Sequence, residues 1–219
     1  MATKETPSFE TAVGVLRQFA RKPRPAERCE LCGVEVASQH PHLLDPVARK
    51  LACACGACAL LFSNHSAARY KRVPRLVRLL PNFHMTDAQW DSLMIPINMA
   101  FFFRSSPEAR VVAMYPSPAG ATESLLSLEA WNEIAEDNPA LQQMEPDVEA
   151  LLVNRIGHTH RFGDDEYYLL PIDQCFRLVG LIRSHWRGFS GGTEVWQQIA
   201  AFFDSLRNSA TVVGGAGNA

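Results

Sequence analysis

The stretch INMAFFFRSSPEARVVAMYP, residues 97–116, decides the fold. INMAFFFRS is an apolar, Phe-rich run that reads as a buried strand, and RVVAMYP pairs with it across the turn residues Ser105, Ser106 and Pro107. Further along, VEALLVNRI and DEYYLLPI read as two more strands, joined by the polar hairpin loop GHTHRFGDD. Helical segments surround these strands. DAQWDSLMI is a short helix capped by Thr86 or Asp87, and LLSLEAWNEIAED repeats Leu125, Leu128, Trp131 and Ile134 at helical spacing. NPALQQM suggests a second short helix or turn, and the Pro/Gly-rich YPSPAGATES reads as a loop. IDQCFRLVGLIRSHW is apolar on one side and reads as a helix with Asp173 near its start. After the glycine turn RGFSGGT comes EVWQQIAAFFDSLRNS, an amphipathic helix with Thr193 as its expected cap. The expectation is an α+β body over residues 63–208, followed by a flexible tail, 209–219.

Upstream, Phe9, Ala12, Val13, Leu16, Phe19 and Ala20 recur at helical spacing behind Ser8, so residues 1–26 read as an amphipathic helix and a basic, proline-containing linker. The stretch YKRVPRLVRLL alternates and contains Pro74, which suits an edge strand or extended arm. Between these lie residues 27–62, a module defined by cysteines.

Five of the six cysteines fall between residues 29 and 58, as CELCG (29–33) and CACGAC (53–58). Two C-x2-C pairs, Cys29/Cys32 and Cys55/Cys58, supply four soft thiolates, and a two-residue gap lets the chain curl so that both sulfurs of a pair meet one tetrahedron. This predicts a small zinc-ribbon-like module with Cys29, Cys32, Cys55 and Cys58 as metal ligands. Cys53 is an alternative ligand in place of Cys55 or Cys58, and His40 or His42 in SQHPHLLD would also compete. Four thiolates close a structural site, so the two histidines read first as ordinary loop residues between knuckles. Zinc is the expected ion; iron is the alternative, in which case the module would resemble rubredoxin and transfer electrons.

Other patterns carry less. GFSGG (188–192) matches the G-x-S-x-G nucleophile expression, but the last histidine, His185, precedes Ser190, whereas a hydrolase of that kind needs its histidine afterwards. It reads as a glycine turn before a helix. His158 and His160, near Asp164, Asp165 and Glu166, form an H-x-H pair compatible with a second metal site or with a solvated hairpin tip. RSHWRG (183–188) has the composition of an anion pocket, a binding hot spot or a capped helix end. No nucleophile, base and acid set assembles from these pieces, which favours a binding protein over an enzyme.

With 47% hydrophobic residues the 219-residue chain can bury a sizeable core, and no apolar run reaches membrane-spanning length. The opening MATKETPSFE lacks a secretory pattern, so the expected address is the cytoplasm, where clustered cysteines bind metal rather than form disulfides. Net charge is −2, yet residues 1–80 balance to +7 and residues 81–219 to −9. A basic half fits nucleic acid, an acidic protein partner, or the chain's own acidic half. Nucleic-acid binding through RKPRPAER and RYKRVPRLVR is disfavoured, because aromatic residues are not interleaved with these cations.

Taken together, CELCG, CACGACALLF, FFFRSS, VVAMYPSPAGATESLL, PDVEALLVNR and LVGLIRSHWRGFSGGTEVW resemble a bacterial family of unknown function that accompanies nickel-iron hydrogenase gene clusters. The resemblance runs from Arg28 to Phe203. It implies an accessory role in hydrogenase assembly or electron delivery, and it strengthens the matching cysteines as metal ligands. With no catalytic set in the chain, the expectation is a non-enzymatic accessory protein that assists assembly, maturation or function of a hydrogenase, with a hydrogenase subunit or maturation factor as partner.

Overall fold

The computed structural model describes residues 26–63, 68–124, 128–157, 165–188 and 190–213. The expected helix at 8–20 and the pair His158/His160 lie outside them. In chain order the strands are β1 (His42–Asp45), β2 (Lys50–Cys53), β3 (Lys71–Arg72), β4 (Arg78–Leu79), β5 (Met99–Ser105), β6 (Arg110–Ser117), β7 (Gly120–Ser124), β8 (Glu149–Asn154), β9 (Glu166–Pro171) and β10 (Thr211–Val212). The helices are α1 (Gly56–Ser63), α2 (Asp87–Ser92), α3 (Leu128–Asp137), α4 (Ile172–His185) and α5 (Gly192–Ser209), with a 3-10 turn at Pro139–Gln143.

β5 and β6 pair antiparallel as the sequence predicts, Phe101 opposite Met114 and Phe103 opposite Val112. They sit inside a seven-stranded sheet of order β10-β4-β9-β8-β5-β6-β7. The unbroken apolar run has a simple cause: both faces of the sheet are covered. Side chains alternate along a strand, so Phe101 and Phe103 join Tyr168 and Leu170 against α4 and α5. Ala100 and Phe102 join Leu151 and Leu169 against Trp90 of α2 and Trp131 and Ile134 of α3. The result is an α+β sandwich of three layers.

Three expectations change. YPSPAGATES is not a loop: β6 continues through Pro116, and Gly120, at φ 129°, lets the chain reverse into β7. Thr193 does not cap α5, whose N-cap is Gly191 at φ 86°. The tail is not wholly free, since Thr211 and Val212 pair parallel with β4.

The cysteine region forms a second, three-stranded sheet, β2-β1-β3, that reaches past it to Arg72. Pro74 separates β3 from β4, so the basic arm divides between the two sheets. Leu44 and Val73 insert into the same apolar cluster as α4 and α5. The basic residues of this half meet the acidic half of their own chain: Lys71 with Asp147 at 2.6 Å, Arg78 with Glu149 at 2.7 Å and Arg49 with Glu123 at 2.9 Å.

Candidate metal centre

The first cysteine pair sits on a tight knuckle. Cys29 N–H donates to Val34 O and Gly33 N–H to Cys29 O, both at 2.8 Å, and Gly33 holds φ 76°, a conformation that disfavours residues with a Cβ. The second pair is presented differently from a ribbon knuckle. Cys55 directly precedes α1, accepting the Ala59 N–H at its carbonyl (2.9 Å), and Cys58 lies in the first turn. There Cys58 N–H points at Cys55 Sγ at 3.4 Å. The β1–β2 hairpin lies between the knuckle and the helix and carries the chain back to the first pair.

The four Sγ atoms of Cys29, Cys32, Cys55 and Cys58 all lie within 4.8 Å of one another, close enough to hold a metal ion. Cys32 Sγ and Cys55 Sγ stand 3.8 Å apart, far beyond a disulfide bond and near the sulfur separation around one tetrahedral ion. Cys29 and Cys58 are buried, at 2% and 7% exposure, while Cys32 faces solvent. Burial pushes the Cys29 thiol up, but hydrogen bonds from the backbone at Cys55, Leu31 and Cys32 outweigh it and bring it down to about 6. Burial, followed by the hydrogen bonds among the neighbouring thiols, pushes Cys58 up to about 12. A divalent cation among the four sulfurs would supply the charge that lets a buried thiol such as Cys58 deprotonate.

Cys53 is elsewhere. Its sulfur lies within 4.8 Å of ring nitrogens of both His40 and His42, in a group separate from the four cysteines. His42 is on β1 rather than in a free loop, and its Nδ1 donates to Asp173 Oδ2 of α4 at 2.6 Å. That hydrogen bond raises the His42 pKa above the usual imidazole value, against the opposing effect of burial.

Residues 28–210 match the model of a family of unknown function (DUF5947). The chain belongs to that family. The family description names no activity and no hydrogenase, and no curated protein and no solved structure matches the chain. The match begins at the knuckle and ends after α5, so the four cysteines, the small sheet and all of the large sheet but β10 are parts of one family unit.

The remaining candidates have structural occupations. Gly191 and Gly192 turn the chain into α5, and Ser190 accepts the Trp196 indole N–H at its carbonyl (3.1 Å). Trp186 donates to Gly188 O at 2.8 Å, and its ring lines an apolar cavity of about 300 Å³ with Trp196, Ile182, Met99 and Tyr115. Asp165 pairs with Arg155 at 2.7 Å, and Arg155 also reaches Asp87 and stands over the Trp90 ring. Among the described residues, no helix is long and apolar enough to cross a membrane. Sequence reasoning missed the link from His42 to Asp173; the only signal for it was an acidic residue at a helix start, which is ordinary on its own.

Proposed function

We propose that this protein is a metal-binding accessory protein in which Cys29, Cys32, Cys55 and Cys58 hold a structural zinc ion, and that it acts by contact with another protein rather than by catalysis. The observation that carries this reading is the convergence of four sulfurs from a knuckle and a helix start. A four-thiolate set closes the tetrahedron and leaves no position for substrate, which suits a structural ion. A contact surface lies beside it: Leu60, Leu61 and Phe62 of α1 are 59%, 65% and 44% exposed, an apolar group that a helix start fixed by metal would present rigidly. The resemblance to a family accompanying hydrogenase genes makes a nickel-iron hydrogenase subunit or maturation factor the proposed partner, met in the reducing cytoplasm. All six cysteines are free thiols in the structure.

The test is elemental analysis of the reduced full-length protein isolated from its own cells with whatever accompanies it. Zinc bound to a colourless protein, co-purifying with hydrogenase components, is the expected result. A red iron protein with a reversible one-electron wave would instead make it an electron carrier. Cys58→Ser should lose this ion and loosen residues 28–63, because binding energy at such a site is folding energy; Cys53→Ser should keep it. Retention of the four-sulfur ion by Cys58→Ser would overturn the ligand assignment.

A further inference from the structure

We propose that His40, His42 and Cys53 form a second metal site, distinct from the four-cysteine centre, which takes a divalent transition metal of the zinc class through two imidazoles and one thiolate and leaves a fourth position open. One ligand atom from each of the three side chains lies within 4.8 Å of the other two, not far from the spacing of about 3 to 4 Å that donors have around one tetrahedral ion.

The imidazole chemistry is settled by what each ring already does. His40 Nδ1 donates to Ala37 O at 2.8 Å, which leaves Nε2 as the lone pair. That ring is 6% exposed, and its Nε2 is buried with no hydrogen-bond partner among the described residues. An unpartnered buried nitrogen is costly, and a metal ion satisfies it. His42 Nδ1 donates to Asp173 Oδ2 at 2.6 Å, which likewise leaves Nε2 free. This carboxylate–imidazole pair is the arrangement that fixes the tautomer and orientation of a metal-bound histidine. The two rings meet edge to face at 4.8 Å between centroids and do not stack.

Cys53 at the end of β2 is placed opposite His42 by the register of the β1–β2 pair, which holds a sulfur against the ring. Both histidines also line a cleft of about 670 Å³ between the small sheet and α4, with Arg75, Asp173 and Arg177 on its walls. A site with three protein ligands beside an open cleft leaves its fourth position to water or a small anion, unlike the closed four-thiolate set. Asp173 is a positioning residue here: it reaches the metal through His42.

The experiment loads the reduced full-length protein with excess Zn(II), removes unbound ion, and measures metal per chain together with the X-ray absorption first shell. Two equivalents with about 2.5 sulfurs per zinc are expected, the average of one four-sulfur and one sulfur–two-nitrogen site. His40→Gln, His42→Gln and Cys53→Ser should each bind one equivalent with about four sulfurs. Asp173→Asn should weaken the second equivalent by about 10- to 100-fold and leave the first unchanged. One equivalent with a four-sulfur shell in the wild-type protein overturns the proposal, whether or not any variant folds. So do two equivalents in folded Cys53→Ser and His42→Gln. One equivalent with one sulfur and two nitrogens would uphold this site and sink the four-cysteine reading, so the two failures are distinguishable. Co(II) in place of zinc gives the same count by colour, since tetrahedral thiolate and mixed sites absorb differently.

Discussion

Asp45 shows how single side chains fix the frame around the metal centre. At the end of β1, its Oδ1 accepts the N–H groups of Val47 and Ala48, both at 3.1 Å, and its Oδ2 accepts Arg69 Nε at 2.7 Å. The Ala48 N–H first, then Arg69, hold its carboxyl below the usual range. A carboxyl depressed in the folded state adds stability that is fully present above its unfolded value of about 3.9 and disappears as pH falls through the folded value. Asp45→Asn should therefore lower the urea midpoint near neutral pH, with the gap to wild type closing as pH drops below about 4. A gap that stays constant down to pH 2 would show that the charge of Asp45 contributes nothing. At this scale the sequence is legible where chemistry is local. Two C-x2-C pairs predict a common site for one ion, and the structure brings their sulfurs close enough to hold it. His42 and Asp173 are 131 residues apart, and only the docking of the small sheet on α4 joins them.

Elements were readable where burial imposed a pattern. β5, β8 and β9 are largely apolar runs because two helical layers cover them, and of the two caps the sequence offers α2, Thr86 and Asp87, the structure uses Thr86, in a capping box with Gln89. β7 was hidden because Pro116, Pro118 and Gly120 carry loop chemistry while the sheet edge still finds partners: Pro116 faces Ala121 across the hairpin. Pairing outweighs propensity there. β4 and β10, two residues each, are too short to show any periodicity. Thr193 offers a hydroxyl cap at the start of α5, but backbone geometry places the cap at Gly191. Gly191 is at φ 86°, and a Cβ there would stand 2.8 Å from Val195 Cγ1 and 3.1 Å from Trp186 Cε3. Gly191→Ala should cost about 2 kcal/mol or more, joining left-handed strain to overlap with a buried valine. Gly192 has a similar φ of 75° but its nearest neighbours would be at 3.8 and 3.9 Å, so Gly192→Ala should cost only about 1 kcal/mol. Equal losses in chemical denaturation would mean that the close approach to Trp186 and Val195 is not what glycine serves.

For the molecule as a whole, the question is how far the metal centre and the large sheet depend on each other. The small cluster around Cys29, Leu43, Ala54, Cys58 and Ala59 is too slight to hold a fold without help, and small modules of this kind lean on a metal. The large sheet has two apolar clusters of its own, and from the cysteine side Leu44 and Val73 reach into one of them, with the half-buried Leu51 packed against it. Removing metal should therefore unfold one part and spare the other. The four tryptophans, Trp90, Trp131, Trp186 and Trp196, all belong to the large body, so their emission reports on it alone. With a strong chelator under reducing conditions, amide exchange across residues 28–63 should accelerate while tryptophan emission stays native, and zinc should restore the slow exchange. Simultaneous loss of both signals would mean that Leu44, Val73 and the Lys71–Asp147 pair couple the two sheets into one cooperative unit. Unchanged exchange in a demonstrably metal-free protein would mean that the cysteines do not hold the small sheet together through an ion, and the proposed structural role would fall with it.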